Sequence, residues 1–404
     1  MDFKMKTLLN SRFFYFIFPI YFSLALILIF FNVPNDFFSS LISLFIVITP
    51  IVALSKFIYP WKLEIDKSYN FVAIDKNHKP VIMFFSLLVL VSGPIDILIN
   101  GFKLLNPLSY AEFNGIGRYI RHISISCWIL IPISFVFIKN AKIKFVLIFY
   151  ALIFPILIVD RNRLLMSFYT LIFCVLLTPR SFAEKVKSRR RNWIYFFALP
   201  LGFIFIFSIL GLYRSGDAFL VESSGEFLAF GALPLKTNFY YLPELLQQVV
   251  IYVTTPIFNF STVVFFDFLN DSFLLSQLSP FGRDLYDAYP DAPVMVERFN
   301  VGTEFYPWLL YGGLPAVVFS FVFMLFSFLG SVHLLRRCPN IFTLIIFLRI
   351  SYTVLFMGFA PQFYILLNFA FVFLMASLWG GAVVLQSALS CSTRGNEEVS
   401  FARI

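Results

Sequence analysis

Charge is scarce in this chain. Asp, Glu, Lys and Arg make up 13% of its 404 residues, whereas a soluble domain carries roughly a quarter. That shortage excludes an ordinary soluble domain. Cysteine is also rare: Cys127 and Cys174 fall in apolar runs, Cys338 in a short turn and Cys391 near the end, so no disulfide framework is expected. There is no P-loop, no dinucleotide glycine fingerprint, no Gly-x-Ser-x-Gly elbow and no His-Glu-x-x-His. Gly115-Ile-Gly117 is too short to count. Chemistry that needs neither a nucleotide nor a tightly held metal is therefore favoured, and no cofactor, metal or nucleic-acid partner is expected. No repeat of 20–50 residues and no inverted two-half symmetry is visible, which argues against many transporter designs.

What the chain has is apolar length. Hydrophobic residues make up 60% of it, with 57 phenylalanines, and about 20 apolar residues cross a bilayer as a helix. Ten spans are expected near 13–31, 37–58, 81–100, 123–138, 142–159, 164–178, 193–212, 307–332, 340–357 and 361–386. Lipid cannot satisfy open backbone groups, so the fold class is an all-α polytopic membrane helix bundle, a single domain over 1–404. The first run follows Lys4, Lys6 and Arg12 without a small-residue cleavage site, so it is expected to be a retained helix.

Basic residues favour cytoplasmic turns. With both termini cytoplasmic, 21 of the 31 lysines and arginines lie inside, and eight of the ten others are arginine. Residues 246–266 carry Thr254, Thr255, Pro256, Asn259, Ser261 and Thr262. A crossing there would carry Arg336 and Arg337 outside, so an interfacial or re-entrant segment is expected. The result is one large outer loop, 213–306, with 11 acids against Arg214, Lys236, Arg283 and Arg298. Long ordered loops are usually functional.

Arg161 and Arg163 occupy a short turn between apolar helices, where forked, always-charged donors suit a lipid phosphate or pyrophosphate. Lipid-headgroup binding is the simpler account. Arg214, Arg283 and Arg298 are further outer candidates for pyrophosphate. Arg349 lies mid-span, where an unpaired charge costs about 2.5–3.5 kcal/mol or more, so either a ligand or an ion pair with Asp96 is expected. Candidate general bases are Glu304, Glu297 and His122. Glu304 combines partial desolvation with a helix start. Asp284, Asp287 and Asp291 are rival loop acids. Asn300, Thr303 and Tyr306 can hydrogen-bond sugar hydroxyls.

The span layout, the dominant late outer loop, Val159-Asp160-Arg161-Asn162-Arg163 at a helix start, and Asn300-Val-Gly-Thr303-Glu-Phe-Tyr-Pro-Trp-Leu-Leu-Tyr311-Gly312-Gly313-Leu-Pro entering a span together resemble the O-antigen polymerases (Wzy). Arg214 followed by Gly225 is similar to a spacing in some of these enzymes, though it occurs once. The resemblance implies a multi-pass protein of a bacterial cell inner membrane. It implies transfer of a growing glycan from undecaprenyl pyrophosphate to the hydroxyl of a new lipid-linked repeat unit at the periplasmic face. Its implied partners are undecaprenyl-pyrophosphate-linked oligosaccharides, membrane lipids and a chain-length regulator protein. An O-antigen ligase and a lipid-linked sugar flippase or transporter are the alternatives. The ligase family leads one to expect a histidine in the large loop, and 213–306 contains none.

Overall fold

The computed structural model describes residues 10–59, 63, 65, 78–107, 115–177, 205–206, 208–211, 213, 235–279 and 302–401, with side chains to 384. The described chain is helical: α1 (Phe13–Phe30), α2 (Asn35–Ile58), α3 (Lys79–Asn100), α4 (Ile116–Phe137), α5 (Ala141–Leu157), α6 (Arg161–Leu177), α7 (Glu244–Phe266), α8 (Ser272–Leu278), α9 (Tyr306–Arg337), α10 (Ile341–Leu355) and α11 (Leu366–Phe401). Among them α1, α2, α3, α4, α7, α9 and the Leu366–Val384 part of α11 are long and apolar enough to cross a bilayer. The protein is an all-α membrane helix bundle. The expected span at 193–212 lies largely outside the described residues.

Two compact units divide the chain. The first gathers α1, α2, α7, α8, α9 as far as Val332, and the segment Arg349–Phe369. The second gathers α3 to α6, His333–Leu348 and the residues from Ala370 onward.

In the first unit α7 packs on α1 and α2. A distant segment completes the end of α1: the Lys236 N–H donates to Phe30 O at 2.9 Å, its ammonium to Leu28 O, and Asn238 to Ile29 O. These bonds satisfy carbonyls that a helix end leaves open. The one-turn helix Thr237–Tyr240 and a turn from Leu242 N–H to Phe239 O follow and lead into α7. Towards its other end Phe258 and Phe265 pack on Phe37 at the start of α2. A full crossing takes about 30 Å. Residues 246–266, expected to be interfacial or re-entrant, instead lie in one continuous helix whose 23 residues are long and apolar enough to cross a bilayer. Its polar residues cost little because Thr254, Thr255, Ser261 and Thr262 donate back to carbonyls of their own helix.

The second unit packs α3 against α4, and α4, α5 and α6 against one another. Pro94 in α3 cannot donate to Leu90 O, and the Tyr150 hydroxyl of α5 donates to that carbonyl instead, at 3.1 Å. Gly93 makes room for the approach, since a Cβ there would lie 1.8 Å from the Tyr150 oxygen. The Gly93-Pro94 pair is thus a docking point for α5 and fixes Asp96 half a turn further on.

Candidate functional site

In the second unit, the ends of α3 and α5 and the starts of α4 and α6 come together. Asp96, wholly buried, holds an ion pair with Arg121 at 2.7 Å and accepts from Ser124 and from Asn100. Asn100 also donates to Gly117 O, and a Cβ on Gly117 would meet the Asn100 oxygen at 2.2 Å. The cation of Asp96 is therefore Arg121, not Arg349 as the sequence suggested. α4 begins at Ile116 rather than near 123, so Arg121 stands on the helix facing inward, whereas His122 is exposed.

The turn into α6 is unusual. Val159 adopts φ 56°, a conformation that a β-branched residue rarely takes and that costs on the order of 1–3 kcal/mol. The Asp160 N–H closes back on Pro155 O at 2.8 Å, and its carboxylate receives the Arg163 N–H at 3.0 Å as a helix cap. Two arginines follow in the first turn, where the helix dipole disfavours cations, yet both are buried. Arg161 and Arg163 are 8% and 7% exposed, Arg121 is 6% and Lys103 is 5%. Lys103 reaches this end because the Leu104 N–H donates to Leu157 O. Cys127 lies within electrostatic reach of Asp160 and Arg163, and Tyr150 within reach of Cys127 and Asp96.

Charge decides what this region can do. Among the described residues here are four buried bases and the acids Asp96 and Asp160; Asp96 holds Arg121, and Asp160 sits 3.8 Å from the Arg163 Nε, a separation too long for a hydrogen bond. Buried charges are paired or ligated. Guanidinium and ammonium groups gathered at the ends of apolar helices are donors of the kind that suit an anion.

The first unit holds a buried acid and a buried base. Gly312 (φ −156°, ψ 26°) and Gly313 (φ 66°, ψ −160°) break α9, and Gly313 holds a conformation open only to glycine. The short arm Tyr306–Tyr311 folds back on the helix, so that Trp308 packs on Phe319 and Phe305 on Phe321. Glu304 is carried inward with it and is fully buried. Its carboxylate accepts the N–H groups of Gln362, Phe363 and Tyr364 at 2.6, 2.9 and 2.9 Å, and its own N–H donates to Met357 O. Gly302 lets the Tyr306 ring lie against the backbone, where a Cβ would come within 2.2 Å. Arg349 donates to Asn368 Oδ1 at 2.8 Å, Asn368 donates to Phe363 O, and the charge of Arg349 acts on Glu304. Glu304 and Arg349 offset each other, and the carboxylate ties two non-helical segments together.

No protein-family model, curated protein or solved structure matches the chain. The site is read from its residues alone.

Of the residues singled out from the sequence, Arg161 and Arg163 share the start of α6. Arg349, Glu304, Thr303 and Tyr306 form a second, separate set, and Thr303 and Tyr306 are buried rather than open to a sugar. Arg214, Arg283, Arg298, Glu297, Asn300, Asp284, Asp287 and Asp291 lie outside the described residues. Sequence reasoning missed the inward turn of Arg121, the burial of Lys103, and Asn368. The Gly93-Pro94-x-Asp96 run was the available signal for the first.

Proposed function

We propose that this chain is a glycosyltransferase that polymerises lipid-linked oligosaccharide repeat units, moving the growing glycan from undecaprenyl pyrophosphate to a sugar hydroxyl of a new lipid-linked repeat, as in O-antigen synthesis. The observation that supports the reading is the burial of Lys103, Arg121, Arg161 and Arg163 near the ends of these helices. These groups would hold the pyrophosphate at the membrane boundary and stabilise the charge that builds as the sugar–phosphate bond breaks. The acceptor oxygen attacks the anomeric carbon, its proton passes to a base, and the pyrophosphate leaves on its lipid. His122, exposed one residue from Arg121, and Glu297 remain candidates for that base. Glu304 fits a positioning role better, because three backbone donors already occupy its oxygens. In this reading the site faces the periplasm from a bacterial inner membrane, and a chain-length regulator is a natural partner.

Deletion of the gene in its native strain tests the reading. Surface glycan reduced to single repeats supports a polymerase, complete loss of surface glycan points to a ligase or flippase, and unchanged ladders reject the proposal.

A further inference from the structure

The first half of α5 touches little of the protein. The buried residues of this helix are Ala151, Phe154 and Pro155, all in its second half. Before them, Phe145, Val146 and Phe149 are 67%, 61% and 52% exposed. With Lys142, which is exposed as well, they stand at positions i, i+3, i+4 and i+7 and so share one face of the helix. The Phe145 and Phe149 rings stack at 5.9 Å, which gives that face an apolar ridge beginning one turn below a lysine. Asn140 accepts the Lys142 and Ile143 N–H groups, so the helix end is capped from within, and Lys139 beside it is exposed. Lys144 stands on the opposite side of α5, its ammonium 5.1 Å from the centre of the Phe135 ring.

Charge is segregated along this unit. Its described acids are Asp96, in the last turns of α3, and Asp160, just past the far end of α5. Among the described residues Lys139 and Lys142 form no ion pair. We infer that this face of α5 docks one anionic phospholipid, with its phosphate between Lys139 and Lys142 and an acyl chain along Phe145, Val146 and Phe149. The ridge reaches roughly 10 Å along the helix from Lys142, so a chain that starts at the lysines can follow it. Charge complementarity commits the site to this occupant: an anionic headgroup gains from each lysine near it, whereas a zwitterionic one brings its own ammonium. Lysines that served only to orient the chain during insertion would confer no headgroup preference.

Lipid binding by the purified full chain in detergent tests the site, with phosphatidylglycerol and phosphatidylcholine titrated in turn and bound lipid counted by native mass spectrometry. The variants are Lys142→Gln, Lys139→Gln combined with Lys142→Gln, and Lys144→Gln as a control that removes the same charge from the other side of α5. The parent should bind phosphatidylglycerol about tenfold more tightly than phosphatidylcholine. Lys142→Gln should raise the phosphatidylglycerol Kd about fivefold and the paired variant at least about tenfold, with phosphatidylcholine binding and the melting temperature unchanged. Lys144→Gln should leave both Kd values within about twofold of the parent, since its ammonium faces Phe135. Equal affinity of the parent for the two lipids overturns the site. So does a phosphatidylglycerol Kd that the paired variant leaves unmoved, or one that Lys144→Gln raises as far as Lys142→Gln does, because the charge then acts diffusely. Lys142→Gln alone decides the matter where the paired variant is not recovered folded.

Discussion

Replacing Glu304 with glutamine separates chemistry from architecture. The carboxylate takes three backbone N–H groups on its two oxygens. Glutamine keeps one oxygen and turns an NH2 group toward at least one of those donors, so a buried N–H loses its acceptor at a cost of about 1–3 kcal/mol. The change also removes the negative charge that offsets Arg349, and breaking a buried charge pair costs about 3–5 kcal/mol. The two effects overlap, so a total on the order of 3–5 kcal/mol is expected, large against the stability of most folds. Detergent-solubilised Glu304→Gln should therefore show a lower melting temperature and reduced yield, with activity falling in parallel. Pairing it with Arg349→Met should restore part of the lost stability, since both charges then leave together. A Glu304→Gln protein that melts like the parent but makes no polymer would refute this reasoning and make Glu304 a chemical base.

Four shorter tests follow. Arg161→Lys and Arg163→Lys keep the charge but lose the planar fork, so ladder formation should fall at least tenfold by gel densitometry at unchanged protein level. Asp96→Asn leaves Arg121 buried against a neutral partner and should lower the melting temperature by several degrees. Gly313→Ala forces a side chain into φ 66° with ψ −160°, and should cost roughly 1–3 kcal/mol, seen as reduced thermal stability with the arm displaced. A cysteine placed near Asp284 should react with a membrane-impermeant thiol reagent from outside while one near Arg190 should not, and the reverse pattern would invert the orientation.

Much of the fold could be read from the sequence because lipid imposes a simple rule, that long apolar runs must be helices: among the described residues six of the seven spanning-length helices fall on expected spans, and the seventh, Glu244–Phe266, is the run whose polar residues led to a non-crossing expectation. The reversals were less legible. Gly312-Gly313 stands inside an apolar stretch that reads as one helix, and only its backbone angles show that Tyr306–Tyr311 folds back and buries Glu304. A site at the membrane boundary was expected there, and a structural tie was found. The partner of Asp96 was equally hidden. Arg349 looked suitable because both are mid-span charges, whereas the neighbour is set by where α4 starts, a boundary that hydropathy places several residues too late. Arg161 and Arg163 were legible as a pair because they interrupt two apolar runs. Their burial was not, since it follows from the Val159 conformation, from Lys103 in the turn after α3 and from Arg121 on α4.

The most direct measurement is polymerisation by the purified protein reconstituted in vesicles with undecaprenyl-pyrophosphate-linked repeat units as the only sugar source. A gel should show a ladder with the parent chain, and single repeats with Arg161→Lys and Arg163→Lys combined. Single repeats from the folded parent chain, or an undiminished ladder from the double variant, would contradict the account.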